Sequence, residues 1–338
     1  MRKFIGPQGP TRRQLLEGGV ALVTTSSFAG LPVTLPASAQ EKYPVREVHV
    51  IAAFPAGSGA DVFTRYFTEN MRPFLGGVMI VENKVGASGN LAANYVARAK
   101  PDGYTVLIHG LGAVAGNLSL FKEPGYDAKA FDILGSVCRL PFTVTVSAKS
   151  PYKTMAELIA AVKAKGAKAS YGTTAPTGQV AGAMMKDKLN LQIVEVPYRT
   201  AADAVNDLDS GAIDYVMYDP IFAMPLHRAG KMRVLAISSK ERMTSAPDIP
   251  TMHESGIPDV DVVGWWGIAV PVGVPEPIKH QLSEAFLKMA EKPETKQWLA
   301  NFGGDSWVAG PAEAQAVFLK DAKNWAEFVK IAHIEPKG

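Results

Sequence analysis

The chain has 338 residues, 35 Lys+Arg against 32 Asp+Glu, a hydrophobic fraction of 47% and one cysteine. A near-balanced charge without a basic tract leaves no electrostatic footprint for nucleic acid or for an anionic membrane surface, and a lone cysteine excludes an internal disulfide. Length and apolar content are sufficient for two domains, each with a core of its own.

At the N-terminus Arg2, Lys3, Arg12 and Arg13 precede a weakly apolar stretch from Gly18 to Leu35, the pattern of a signal peptide. Gly, Ser, Thr and Pro interrupt that stretch, whereas a spanning helix needs roughly 20 mostly apolar residues. Arg12-Arg13 matches a twin-arginine export signal, and Ala37-Ser38-Ala39 offers small residues for cleavage, expected before Gln40. Residues 1–39 hold four basic residues and one acidic residue, so the exported chain is balanced at 31 of each. The expected location is the periplasm.

Beyond the leader, short β-branched runs alternate with amphipathic stretches of helical period, which predicts an α/β fold with mainly parallel sheets. Val48–Ala53 reads as a strand before a helix from Gly59 to Leu75, Val78–Val81 as a strand before Asn90–Ala99, and Tyr104–Ile108 as a third strand. Near Pro141 a second set opens. Its strands are Phe142–Val146, Ala169–Tyr171, Gln192–Val194, Asp214–Tyr218 and Arg233–Ile237, and its helices are Met155–Lys165, Gln179–Leu189 and Ala201–Ser210, the last stopped by Gly211. A proline-rich passage holding Pro247, Pro250 and Pro258 returns the chain to a strand around Trp265, after which only helices are predicted. The expectation is two lobes, residues 40–142 with 264–338 and residues 143–263, joined by two crossings. No internal repeat or low-complexity tract interrupts this pattern.

Ligands of open α/β sheets bind beyond the carboxyl ends of the strands. The first such end is Phe54-Pro55-Ala56-Gly57-Ser58-Gly59-Ala60-Asp61, where glycines crowd backbone N–H groups just before a helix. A helix start carries unpaired donors and partial positive charge and favours an anion. Ser58 and Asp61 have the spacing of a capping box, the preferred reading for their side chains, which leaves the backbone donors of Ala56 to Gly59 for a ligand. A nucleotide site with Glu82 on the ribose is the rival reading; it lacks the third glycine, Val62 standing in its place, and Pro55 precedes the turn.

Two further glycine-containing turns, Asn83–Asn90 and Tyr171–Gln179, open predicted helices. In the second, the hydroxyls of Thr173, Thr174 and Thr177 can donate to carboxylate oxygens or simply cap the helix. Asp219 ends a strand and suits an amino or hydroxyl group of a ligand, or neighbouring backbone donors. Arg199 reads as a solvated rim residue able to add a direct charge. His109, after the strand Val106–Ile108, is a candidate for the cleft wall, and Cys138 for the core. No metal spacing joins the six histidines and no Gly-x-Ser-x-Gly elbow occurs, so neither a metal nor catalytic residues are assigned. A nucleophile at Cys138 or Ser58 lacks an evident base.

Phe54-Pro55-Ala56-Gly57-Ser58-Gly59-Ala60-Asp61-Val62, Val81-Glu82-Asn83-Lys84, Gly86-Ala87-Ser88-Gly89-Asn90 and Pro101-Asp102-Gly103-Tyr104 occur in that order. Val196-Pro197-Tyr198, the run Ala229–Ala236, Pro247-Asp248-Ile249-Pro250-Thr251, Gly256-Ile257-Pro258 and Trp265-Trp266-Gly267 follow. Over nearly the whole exported chain this resembles the Bug, or TctC-type, receptor family. The resemblance implies a two-lobed periplasmic binding protein of the Venus flytrap, type II-like kind, monomeric and without cofactor or catalysis. It further implies capture of a small carboxylate, a di- or tricarboxylate or an aromatic acid, for the membrane permease subunits of a tripartite tricarboxylate transporter. A receptor that signals to a membrane sensor is the first alternative, and a nucleotide-using or hydrolytic enzyme of similar fold is the second. By matching, backbone groups of Phe54 to Gly59 hold one carboxylate from the first lobe, and the Thr173 to Gln179 loop and Asp219 line the cleft from the second. The candidate ligand-binding set is Phe54, Ala56, Gly57, Ser58, Gly59, Asp61, His109, Thr173, Thr174, Thr177, Tyr198 and Asp219. The second-lobe turn departs from the family pattern, with Pro176-Thr177-Gly178 in place of a glycine and serine stretch and Gln179 where histidine is common.

Overall fold

The structure, a computed structural model, describes residues 43–338. The twin-arginine pair and the cleavage site expected at Ala39/Gln40 lie outside them.

The first half runs β1 (Val48–Ala52), α1 (Gly59–Leu75), β2 (Met79–Asn83), α2 (Asn90–Ala97), β3 (Thr105–Gly110), α3 (Leu111–Leu120) and β4 (Phe131–Pro141). A second series follows: β5 (Thr143–Ser147), α4 (Met155–Lys165), β6 (Ser170–Thr173), α5 (Pro176–Lys188), β7 (Val194–Pro197), α6 (Asp203–Ser210), β8 (Tyr215–Tyr218), α7 (Pro220–Arg228) and β9 (Met232–Ile237). The chain then returns through β10 (Val263–Pro271), α8 (Glu276–Glu291), α9 (Pro293–Asn301), β11 (Asp305–Ser306) and α10 (Pro311–Ile331). One sheet has the order β11-β4-β10-β3-β1-β2 and the other β7-β6-β8-β5-β9. In the first, β1 is parallel to β2 and β3 while β10 runs antiparallel to β3 and β4. In the second, β6 is parallel to β7 and β8 while β5 is antiparallel to β8 and β9. These two mixed sheets with their helices make the two-lobed α/β fold.

Local chemistry accounts for the helices that position the site. In α1, Phe63, Phe67, Met71 and Leu75 recur every four residues and are buried, and Gly76 in the left-handed region ends the helix. Phe63 packs against Phe67, Trp266, Trp298 and Phe302 at ring-centroid distances of 5.5, 5.4, 4.6 and 5.5 Å. α4 opens with a complete Thr154–Glu157 capping box. α5 starts at Pro176, three residues before the predicted Gln179, because proline at the first helical position is already set for the turn. The expectation of helices alone after Trp265 is corrected by β11, where Asp305 and Ser306 pair with Arg139 and Cys138 of β4. Cys138 is buried in the core and burial raises its thiol pKa well above the ordinary value.

The two crossings between the sheets, at Phe142 and between β9 and β10, are tied by one buried residue, Ser238. Its Oγ accepts from the Phe142 N–H (2.9 Å) and its hydroxyl donates to the Val262 carbonyl (2.6 Å). Its N–H donates to the Phe142 carbonyl (2.8 Å) and its carbonyl accepts from the Val262 N–H (3.0 Å). Further along, Arg228 at the end of α7 donates to the carbonyls of Ala300 (2.8 Å) and Asn301 (2.6 Å), capping α9. The Asp305 carboxylate accepts from the Thr244 and Ser245 N–H groups.

Candidate functional site

The loop after β1 is held by its own acid. Ser58 caps α1 by accepting the Asp61 N–H (3.3 Å), but the Asp61 carboxylate reaches the N–H of Gly57 (2.9 Å) and not that of Ser58. It also accepts from Arg65 Nε (2.8 Å) and from Asn83 Nδ2 (2.7 Å), and the same Asn83 amide donates to the Phe54 carbonyl (2.7 Å). Asp61 is 2% exposed. Desolvation pushes its pKa up, yet the bonds from Arg65, Asn83 and Gly57 outweigh that and hold it below the usual carboxylate value.

This fastening changes which donors remain. The Gly57 N–H is taken by Asp61 and the Ser58 N–H by the Pro55 carbonyl (3.1 Å). Among the described residues the N–H groups of Gly59 and Ala60, the first turn of α1, have no acceptor. Of the donors expected across Ala56 to Gly59, those of Gly57 and Ser58 are thus consumed by one acid and one turn, and the Ala60 N–H joins that of Gly59 at the helix start.

Gly59 faces the opposite lobe closely: a Cβ there would lie 2.9 Å from Ile221 Cγ2 in the first turn of α7. Between these elements is a cavity of about 140 Å³, walled by Phe54, Leu140, Phe142, Trp265, Trp266 and Phe222 among others. That is room for several waters or a small organic acid. Ser58, Gly59 and Ala60 of α1, His109 and Gly110 at the end of β3, Thr174 to Thr177 at the start of α5, and Asp219 before α7 all line it. Three helix starts thus converge on one space. Ala175 gives α5 no side-chain cap, and the N–H groups of Thr177 and Gly178 have no acceptor among the described residues. Among the described residues that line it, the charged side chains are Arg199, which is exposed, and Asp219. A groove of about 680 Å³ between α8 and α10 is larger, but its Lys279 and Lys288 are paired with Asp132, Glu276 and Glu284.

Of the candidate residues, Phe54, Ser58, Gly59, His109, Thr174, Thr177 and Asp219 meet at this cavity. Ala56 and Gly57 are exposed outside its wall, and Asp61 points back into the loop. The Thr173 hydroxyl donates to Glu195 Oε1 (2.8 Å) and the Tyr198 hydroxyl to Asp207 Oδ2 (2.6 Å), which turns both away. Glu82 pairs with His49 Nδ1 (2.5 Å) and Lys84, so the acid of the nucleotide reading is engaged elsewhere. Among the described residues there is no cluster of metal-ligating side chains and no helix long and apolar enough to cross a membrane.

Asp219 caps α7 by accepting the Ile221 N–H (2.8 Å), and burial raises its pKa to about 6. His109 is 3% exposed, and desolvation lowers its pKa to about 4. The residues missed from sequence are Trp265 and Trp266. The Trp265 indole N–H donates to Asp321 on α10 (2.6 Å), which fixes the ring at the wall, and the Trp266 ring lies 5.4 Å from that of His109. Tryptophans flanked by Gly264 and Gly267 beside a crossing were the signal available.

Residues 63–333 match the family model described as the tripartite tricarboxylate transporter family receptor. The chain belongs to this receptor family. The periplasmic binding protein BugD is similar at 32% identity, over 87% of this chain and 99% of that one, with a TM-score of 0.79. Rpa4515 of R. palustris, solved with adipate, is 27% identical over 87% and 99% of the two chains, with a TM-score of 0.80. MatC of Rhodopseudomonas palustris, solved with bound malate, is 27% identical over 85% and 100%, with a TM-score of 0.77. The family and these neighbours are substrate-binding proteins, and the chain is accordingly a solute-binding receptor of the Bug and TctC type, not an enzyme.

Proposed function

We propose that the receptor captures a small carboxylate in the cavity between its lobes and presents it to the membrane permease subunits of a tripartite tricarboxylate transporter. It works in the periplasm as a monomer after loss of residues 1–39, with residues 40–142 and 264–338 as one lobe and 143–263 as the other. The observation that carries this reading is the convergence of the α1 and α5 starts, with unpartnered N–H groups at Gly59, Ala60, Thr177 and Gly178, on one aromatic-walled space. Adipate and malate in two neighbours support a carboxylate as the occupant.

Neutral donors are enough for this task. About three charge-assisted bonds of roughly 1.5–3 kcal/mol each, with a helix-end contribution of up to about 2 kcal/mol, are comparable with the roughly 8 kcal/mol of micromolar binding. The hydroxyls of Thr174 and Thr177 add donors whose direction depends on the attached group, and the apolar rings hold the body of the acid. A thermal-shift screen of mono-, di- and tricarboxylates tests this. At least one acid raises the melting temperature, because a ligand of the native state stabilises it. Stabilisation by dinucleotides and by no acid would sink the reading.

A further inference from the structure

His109 has the least ordinary surroundings in the cavity wall. It stands at the carboxyl end of β3, its ring 5.5 Å from that of Phe54 and 5.4 Å from that of Trp266. On its other side a Cβ placed at Gly89 would lie 3.1 Å from Nε2. Among the described residues neither Nδ1 nor Nε2 has a hydrogen-bond partner. A neutral imidazole carries one donor and one acceptor, and each left unmet when buried costs about 1–3 kcal/mol. A purely apolar ring would avoid that cost, so the imidazole has a use only when something meets its nitrogens.

The neighbours that can do so are few. The loop before α1 offers the positive end of that helix, with the free N–H groups of Gly59 and Ala60, and its Asp61 is committed to Arg65 and Asn83. The turn Gly86–Gly89 has no ionisable side chain, and β10 contributes Trp265 and Trp266. From the second lobe Arg199 and Asp219 share the cavity, and neither is hydrogen-bonded to His109. None of the described residues pairs with the ring, and the anion that α1 attracts would arrive beside it.

Resting on the carboxylate reading above, we propose that the receptor takes up its acid together with one proton, which binds at His109 and makes an imidazolium paired with the ligand carboxylate. In the empty site the ring is neutral at physiological pH, since burial alone holds it down to about 4. An anion in the same enclosed space favours the charged ring and moves its pKa back up. Solvent or buffer acid supplies the proton, one N–H bond forms, and the proton returns to solvent when the acid leaves. Capture is then tighter in an acidified periplasm than in a neutral one.

Calorimetric titration with adipate, malate and benzoate between about pH 5.5 and 8, each in two buffers of different ionisation enthalpy, reads this directly. After correction for protonation of the free acid, close to one proton is taken up per acid bound at the low end and almost none at the high end. Affinity rises by up to about tenfold for each unit by which the pH falls over the same range. His109→Gln keeps a hydrogen-bonding side chain that cannot titrate, so whatever its affinity the acid it binds brings no proton and shows no pH slope, while the acid bound by Asp219→Asn still brings one. Binding without proton uptake by the unaltered receptor overturns the proposal and leaves the carboxylate reading standing. Uptake that survives His109→Gln, or that vanishes with Asp219→Asn instead, also overturns it. Failure of all three acids to bind removes the carboxylate reading and the proton with it. Where one variant does not fold, the other still separates His109 from Asp219, and absence of uptake by the unaltered receptor overturns the proposal without either.

Discussion

The two loops that face each other across the cavity are built on opposite plans. Phe54 to Ser58 is lashed down by a buried carboxylate that draws one bond from its own loop, one from its own helix and one from the end of the neighbouring strand. Thr174 to Thr177 has no such anchor: Ala175 gives no cap, and the flanking Thr173 and Gln179 both turn outward to Glu195. It is held instead by close approach, since a Cβ on Gly178 would lie 2.7 Å from Phe142 Cδ1 and 2.9 Å from the Met217 carbonyl oxygen. The contrast teaches a division of labour. On the carboxylate reading proposed above, backbone donors that read a group common to all carboxylates need a fixed frame, while side chains that read the rest of the acid can vary if the frame does not depend on them.

Breaking the anchored loop has the largest expected effect. Asp61→Ala leaves Asn83, Gly57 and the inner face of Arg65 without their acceptor and lowers stability by about 3 kcal/mol, visible as a drop in the denaturant midpoint. Acid binding falls at least tenfold in the same variant. An Asp61→Ala protein that binds acids as well as the parent would show that the lashing is irrelevant to the site. Gly178→Ala attacks the other loop through packing, and overfilling against a ring and a backbone oxygen lowers stability by about 1–3 kcal/mol. A neutral result in thermal melts would mean that the α5 start is free to shift.

The smallest effect is a pH slope. Burial raises Asp219 from 3.8 to about 6, so between those values the folded receptor keeps a proton that the unfolded chain has lost. The stability this gives is complete below about pH 4 and is lost as pH rises through 6. Asn at position 219 can still accept the Ile221 N–H but cannot titrate. The difference in unfolding free energy between parent and Asp219→Asn should therefore drift in the parent's disfavour by about 1 kcal/mol per unit between pH 4 and 6. His109 acts in the opposite sense, losing stability as pH falls from 6.5 towards 4, and cancels in that difference. A flat difference would place Asp219 in ordinary solvent.

Much of the frame was readable before the fold was seen. α1 and α4 occupy the predicted spans because their caps and four-residue apolar spacing are local properties. α3 went unread because it is buried on nearly every side, Leu111, Val114, Ala115, Asn117 and Leu120 included, and an all-round buried helix has no amphipathic period. α7 was masked by Pro220 and Pro225. At the site, the loops and His109 follow from strand ends. The turning of Thr173 towards Glu195, and of Trp265 towards Asp321 56 residues away, depends on partners that only the tertiary fold brings close.

Ser238 ties Phe142 and Val262 with four hydrogen bonds from a single residue. Two strands crossing between lobes would ordinarily allow both bending and twisting. Riveted at one point, they are held side by side, and sliding one past the other there would break all four bonds together. Any change in the spacing of the α5 and α1 starts must then be taken up in the crossing segments away from Ser238.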